Sequence, residues 1–162
     1  MKKYLDKLNE ILTQGVTGSL ETFEKLPSHF SMNKKASEEQ ITECANSFEN
    51  KLPEDYKNFL GIYNGGILFQ IEDIGGFKFL GTDELVKENT FQKENFGEDW
   101  NENIILFCLC IGDGEYLGFK IDDNKIVHCI MDEIPSNWKI IENSFNELVT
   151  KLIDERGRKY WI

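Results

Sequence analysis

Leu52-Pro53-Glu54-Asp55-Tyr56-Lys57-Asn58-Phe59-Leu60-Gly61-Ile62-Tyr63-Asn64-Gly65-Gly66 contains a helix start, an apolar face and a stop within fifteen residues. Pro53 suits the first helical position, where its missing N–H would be unpaired anyway and its fixed φ is already helical. Glu54 and Asp55 set negative charge against the positive end of the helix dipole. Leu52, Tyr56, Phe59, Leu60 and Tyr63 fall on one helical face. Asn64-Gly65-Gly66 supplies residues that tolerate positive φ where the helix must end. The stretch therefore predicts a short docking helix that stops and turns the chain into a strand.

Upstream, Ser37-Glu38-Glu39-Gln40 reads as a capping box, with Ile41, Cys44, Ala45 and Phe48 as the buried stripe of the helix it opens. Residues 3–12 place Tyr4, Leu5, Leu8, Ile11 and Leu12 at helical spacing, with Gly15 and Gly18 behind them. Residues 16–36 read as irregular or briefly helical. Downstream, Ile67, Phe69 and Ile71 alternate with Leu68, Gln70 and Glu72, and Gly75-Gly76 punctuates before Phe77 and Phe79, giving two strands. Thr82 with Asp83 and Glu84 predicts a short capped helix toward Phe91, followed by an exposed acidic loop over 95–103. Three β-rich runs, 104–111, 115–121 and 125–131, are joined by Gly112-Asp113-Gly114 and Asp122-Asp123-Asn124, which is the pattern of an antiparallel meander. A further extended piece over 138–141 leads to Ser144-Phe145-Asn146-Glu147, a second capping box. Phe145, Leu148, Val149, Leu152 and Ile153 then form an amphipathic helix that Gly157 ends. Without strict βαβ alternation or an internal repeat, this order predicts a single α+β domain. Its sheet is largely antiparallel (mixed), helices pack on one face, residues 1–36 are a helical extension and residues 37–155 form the core.

A chain of 162 residues with 40% hydrophobic content can bury about 70% of the surface its unfolded chain exposes, as one domain. The longest apolar run, 104–111, is far short of the roughly 18 residues that span a bilayer. Asp6, Lys7 and Glu10 interrupt the apolar residues after Lys2 and Lys3, so the opening stretch lacks the core of a secretory signal, and a cytoplasmic location is expected. The net charge of −11 argues against a nucleic-acid binder. Thirteen acids against four lysines between Asp83 and Glu133 leave that segment at −9. It is either an ordinary solvated surface or a face suited to a basic partner.

Little in the chain suggests chemistry. Cys44, Cys108, Cys110 and Cys129 sit in apolar runs without zinc-ligand spacing and read as reduced core residues. His128, between Val127 and Cys129, reads as a structural histidine, and His29 carries no signal. Neither glycine turn has the Gly-Lys-Ser/Thr of a phosphate loop. Asp122-Asp123-Asn124 does not continue into a calcium loop. No catalytic residue, metal or cofactor is assigned. Trp100, between Asp99 and Glu102, is either folded back on the core or an interface anchor.

Leu52-Pro53-x-x-Tyr56-x-x-Phe59-Leu60 followed by Asn64-Gly65-Gly66 resembles the signature of the SUKH superfamily, in its Smi/Knr-like branch. Gly112-Asp113-Gly114-Glu115-Tyr116 and Ser144-Phe145-x-x-Leu148 fall where that family has similar features. The resemblance covers about residues 37–153. It implies a non-enzymatic α+β domain acting in bacteria as an immunity protein that neutralises a toxin by contact, or, as in eukaryotic relatives, as a regulatory scaffold. An enzyme is the third and least favoured reading. Many toxins paired with such proteins are nucleases with basic surfaces, which an acidic partner would meet by electrostatic steering. The expected partner is thus a basic protein toxin, with no direct nucleic-acid or membrane contact and a monomeric or weakly dimeric state. Glu72, Asp73, Glu98, Asp99, Trp100, Glu102, Asp113, Glu115, Asp122 and Asp123 are the partner-facing candidates.

Overall fold

The computed structural model describes residues 3–162; Met1 and Lys2, part of the stretch read for a secretory signal, lie outside them. Five helices, α1 (Lys3–Ile11), α2 (Glu38–Ser47), α3 (Glu54–Leu60), α4 (Thr82–Phe96) and α5 (Phe145–Asp154), accompany eight strands. The strands are β1 (Thr17–Glu21), β2 (Pro27–Met32), β3 (Gly66–Ile71), β4 (Gly75–Phe79), β5 (Ile104–Cys110), β6 (Tyr116–Lys120), β7 (Ile126–Cys129) and β8 (Lys139–Glu142). They form one sheet in sequence order, every neighbouring pair antiparallel. The α+β class follows, with no parallel pair in the sheet among the described residues.

Residues 16–36, expected to be irregular or helical, instead supply the hairpin β1–β2. The alternation there is faint: Gly18 and Ser28 occupy inward positions, and Leu20, Phe30 and Met32 alone carry the apolar signal. Ser28 is buried because its hydroxyl donates to the Leu20 carbonyl, so a polar residue fills a core site without leaving an unpaired group. The strand β3 also departs from simple alternation. Leu68 and Phe69 are both buried, because a bulge between Leu68 and Ile71 re-aims the second of them.

Phe145, the first residue of α5, centres the main core, its ring meeting those of Tyr4, Tyr56, Phe59, Phe79, Phe107 and Phe119. Truncating such a ring to alanine costs about 3–5 kcal/mol. Helices α1, α2, α3 and α5 contribute to this core. Helix α4 runs from Thr82 to Phe96, five residues past the expected end at Phe91. Its Leu85 joins the main core, whereas Phe96 and the following Trp100 cover Leu106, Tyr116 and Val127 on the opposite face of the sheet. Between them Asn89 binds the open edge of β5, donating to the Leu106 carbonyl at 2.9 Å and accepting the Leu106 N–H at 2.8 Å. One amide thus pairs both backbone groups where β4 has ended.

The signature stretch closes the same junction from the other side. Pro53 precedes α3 as its cap, one position earlier than expected, and the helix ends at Leu60, before Tyr63. The Tyr56 hydroxyl, fully buried, donates to the Leu80 carbonyl at 2.6 Å, the residue at which the chain leaves β4. The cap of α4 comes from Asn64, whose Oδ1 accepts the Thr82 N–H at 2.8 Å, while the Gly81 N–H donates to Glu84; Thr82 lies inside the helix. Gly65, at φ +78°, lies so close that a Cβ would meet the Phe79 carbonyl oxygen at 2.5 Å and the Gly81 nitrogen at 2.7 Å. Glycine is therefore required there on two grounds, conformation and clearance.

Candidate partner-binding surfaces

An antiparallel meander places alternate turns at opposite ends of the sheet, and this divides the ten candidates into two sets. Asp122 and Asp123 lie in the β6–β7 turn, and Asn103 accepts a hydrogen bond from the Ile121 N–H at 2.7 Å, which brings the 97–103 segment beside it. Glu98, Asp99, Glu102, Asp122 and Asp123 therefore share one end, all exposed. Lys93 pairs with Glu102 at 2.8 Å and Lys120 lies 3.8 Å from Asp123; among the described residues Glu98, Asp99 and Asp122 have no ion-pair partner. The segment is less open than expected: α4 extends to Phe96 and a short 3₁₀ helix spans Gly97–Asp99. Trp100 is half-buried, its ring tilted against Phe96 at 6.0 Å and edge-on to Trp138 at 6.4 Å, and it also lines a cleft of about 390 Å³ with Glu102, Lys93 and Lys51.

Glu72, Asp73, Asp113 and Glu115 lie at the other end, where Ile111 N–H donates to the Gly76 carbonyl and sets the β5–β6 turn beside the β3–β4 turn. Two of them are engaged internally. Lys159 pairs with Asp113 and lies 3.5 Å from Glu115, and Glu115 is 2.8 Å from His128 Nε2. These contacts fasten the segment after α5 to the sheet, as do the Tyr160 hydroxyl, donating to Glu142 at 2.8 Å, and Trp161, packed on Phe77. Burial alone would raise the Glu142 carboxyl, but the Asn143 N–H, the Lys151 ammonium 2.9 Å away and the Tyr160 hydroxyl outweigh it and hold the group below its ordinary value.

The fastened segment walls a groove of about 810 Å³ that the sequence reading missed. Phe69, Phe77 and Ile111 line its floor, and Phe23, Leu26 and Ile74 stand on its rim with much of their surface in water. Phe69 adopts φ +55°, a region that a bulky side chain rarely enters; such a conformation costs about 1–3 kcal/mol and needs surrounding structure to impose it. The Phe30 ring, 4.6 Å away, and Gly157, where a Cβ would meet the Phe69 ring at 2.8 Å, supply that constraint. A signal for the rim was present: Phe23 and Leu26 bracket a charged turn, and Ile74 stands between Asp73 and Gly75.

The four cysteines are free and buried, and burial pushes their thiols up, Cys44 to about 11 and Cys110 to about 12. Among the described residues no cluster of His, Cys, Asp or Glu could hold a metal ion, and no helix is long and apolar enough to cross a membrane.

The class defined so far is an α+β domain built on one eight-stranded antiparallel sheet, its ends formed by turns of contrasting chemistry. The chain belongs to the SMI1/KNR4 family (SUKH-1), which it matches over residues 35–151. No curated protein matches it. The β1–β2 hairpin and the segment after Gly157 lie outside the matched residues, although both help to build the sheet or its groove.

Proposed function

We propose that this protein is an immunity protein of the cytoplasm that binds a basic protein toxin, of nuclease type, and neutralises it by contact and without catalysis. One observation carries the reading: in a chain of this family, the fold brings two acidic loops, distant in sequence, to one end of the sheet. Glu98, Asp99 and Asp122 stand there without an ion-pair partner among the described residues, beside a cleft whose wall includes Trp100. Exposed carboxylates accelerate encounter with a basic face, and a half-buried tryptophan supplies the apolar contact that slows dissociation. In this reading the protein acts as a monomer or weak dimer, and it meets the toxin's nucleic-acid-binding surface in place of the nucleic acid.

The test is co-expression with a candidate basic toxin of nuclease type, followed by stopped-flow association of the purified pair. Survival of the cells is expected. Asp99→Lys with Asp122→Lys should slow association about tenfold at low salt and flatten its salt dependence. Cell death despite soluble protein would sink the reading, and recovery of a housekeeping complex in place of a toxin would favour a regulatory scaffold.

A further inference from the structure

The groove at the opposite end of the sheet is not explained by acidic steering, because its most prominent groups are apolar. Phe23, Leu26 and Ile74 are 51%, 44% and 71% exposed around one depression, and Ile162 joins them on the wall. Scattered apolar residues on a surface are ordinary; several converging on one concavity mark a place where another surface sits. The strained Phe69 lies in the floor of the same depression, so the backbone outlier and the apolar rim coincide.

The charges around the rim indicate what it accepts. The two basic residues in the lining are already engaged, Arg158 with Glu155 at 2.7 Å and Lys159 with Asp113 and Glu115. Glu24 and Asp73 in the lining, and Glu72 next to Asp73, have no ion-pair partner among the described residues. Lys25 and Arg156 nearby offset part of this charge, and Glu21 restores the acidic balance. A partner segment would therefore present a large apolar side chain to the floor and lysine or arginine to the rim.

We propose that this groove is a second docking site, which takes one protein segment carrying a bulky apolar anchor flanked by basic residues. The proposal rests on the reading of the protein as one that binds a basic protein partner, and it adds a contact far from the acidic loops. Its walls, Phe23, Leu26 and the 157–162 segment, lie outside the family-matched residues, whereas Phe69, Ile74, Phe77 and Ile111 lie within them. The floor thus belongs to the family core and the walls to this chain's flanking segments, an arrangement that lets the flanks set which segment fits.

The test is selection of a phage-displayed dodecapeptide library on the full chain, with enriched peptides resynthesised and measured by fluorescence anisotropy. Peptides with an aromatic or branched apolar residue between lysines or arginines are expected. Ile74→Asp and, separately, Phe23→Ser should weaken them about tenfold or more. Glu72→Lys with Asp73→Lys should weaken them while a wild-type circular dichroism spectrum is retained. No enrichment, enrichment of acidic peptides, or binding indifferent to Ile74→Asp would overturn the proposal. Concentration-dependent dimerisation abolished by Ile74→Asp would also overturn it, in favour of a self-interface. The two readings separate on the toxin itself. Protection lost with Asp99→Lys and Asp122→Lys but kept with Ile74→Asp leaves the immunity reading standing without the groove. Peptide binding in a protein that protects against no toxin leaves the groove standing alone.

Discussion

The β4–α4 junction and the groove at the other end of the sheet are fastened by opposite means. At the junction the fastening is mostly neutral and shielded: Tyr56 satisfies the Leu80 carbonyl, Asn64 caps Thr82 and Asn89 pairs both backbone groups of Leu106, with the Glu84 carboxylate on the Gly81 N–H as the one charged contact named there. At the groove it is charged: Lys159 pairs with Asp113 and lies 3.5 Å from Glu115, while away from the groove the buried Glu142 gathers Lys151 and Tyr160 and holds the same segment. Neutral hydrogen bonds sealed from water fix a geometry at any ordinary pH, because leaving either partner unpaired is costly. Charged contacts near solvent are weaker and can be changed without unfolding the domain. The junction therefore defines the fold, and the groove end is where the surface can diverge.

Asn89→Ala offers the most severe challenge to this contrast. It strands the N–H and carbonyl of Leu106 together and should destabilise the protein by about 3 kcal/mol, lowering the melting temperature by roughly 6–12 °C. Denaturant melts that place the variant near wild type would show that the junction is not sealed as described.

Glu142→Gln should cost about 2 kcal/mol near neutrality, because a charge-assisted set of hydrogen bonds is lost. The sign of its pH dependence follows from the lowered carboxyl. A depressed folded value contributes stability that is present above the unfolded value, about 4.3, and is lost as pH falls through the folded one. The gap between variant and wild type should therefore shrink as melts are taken from pH 7 down through the acid range, and a constant gap would remove the charge from the account.

Tyr56→Phe should cost about 1.5 kcal/mol and, in contrast, the same amount at pH 5 and pH 7, since burial holds that phenol well above its ordinary value and it stays neutral throughout. A pH-dependent cost would blur the distinction between the two regions. Ile74→Asp marks the smallest effect on stability, within about 0.5 kcal/mol, as expected of an exposed turn residue; a larger loss would mean that Ile74 supports the fold and does not merely edge the groove.

Much of the architecture was legible because local chemistry and tertiary use agreed. The Ser37 capping box forms in full, with Gln40 reaching back to the Ser37 N–H, and the Ser144 hydroxyl accepts the Glu147 N–H. The three runs of the meander are β5, β6 and β7. Helix α4 was underestimated because much of what it buries is polar, Asn89 above all, so the helix shows no long apolar stripe. The β1–β2 hairpin was missed for a related reason, since its inward positions include Gly18 and Ser28. Of the candidate surface, the acidic residues were visible one by one, yet their division between two ends depends on the strand order, which no residue records locally.

The sequence by itself determined that this chain is an α+β domain with the Leu-Pro-x-x-Tyr and Asn-Gly-Gly signature, because caps, helical stripes and positive-φ glycines act over a few residues. Only the tertiary structure decided what the signature holds. The hydroxyl of Tyr56 and the amide of Asn64 reach 24 and 18 residues along the chain to the start of α4, and Gly65 lets the two segments touch. The groove likewise exists only when the turn at 22–26, the turn at 72–74 and the segment at 157–162 meet in space. Its rim is a property of that meeting, with Phe23, Leu26 and Ile74 left largely exposed around the groove.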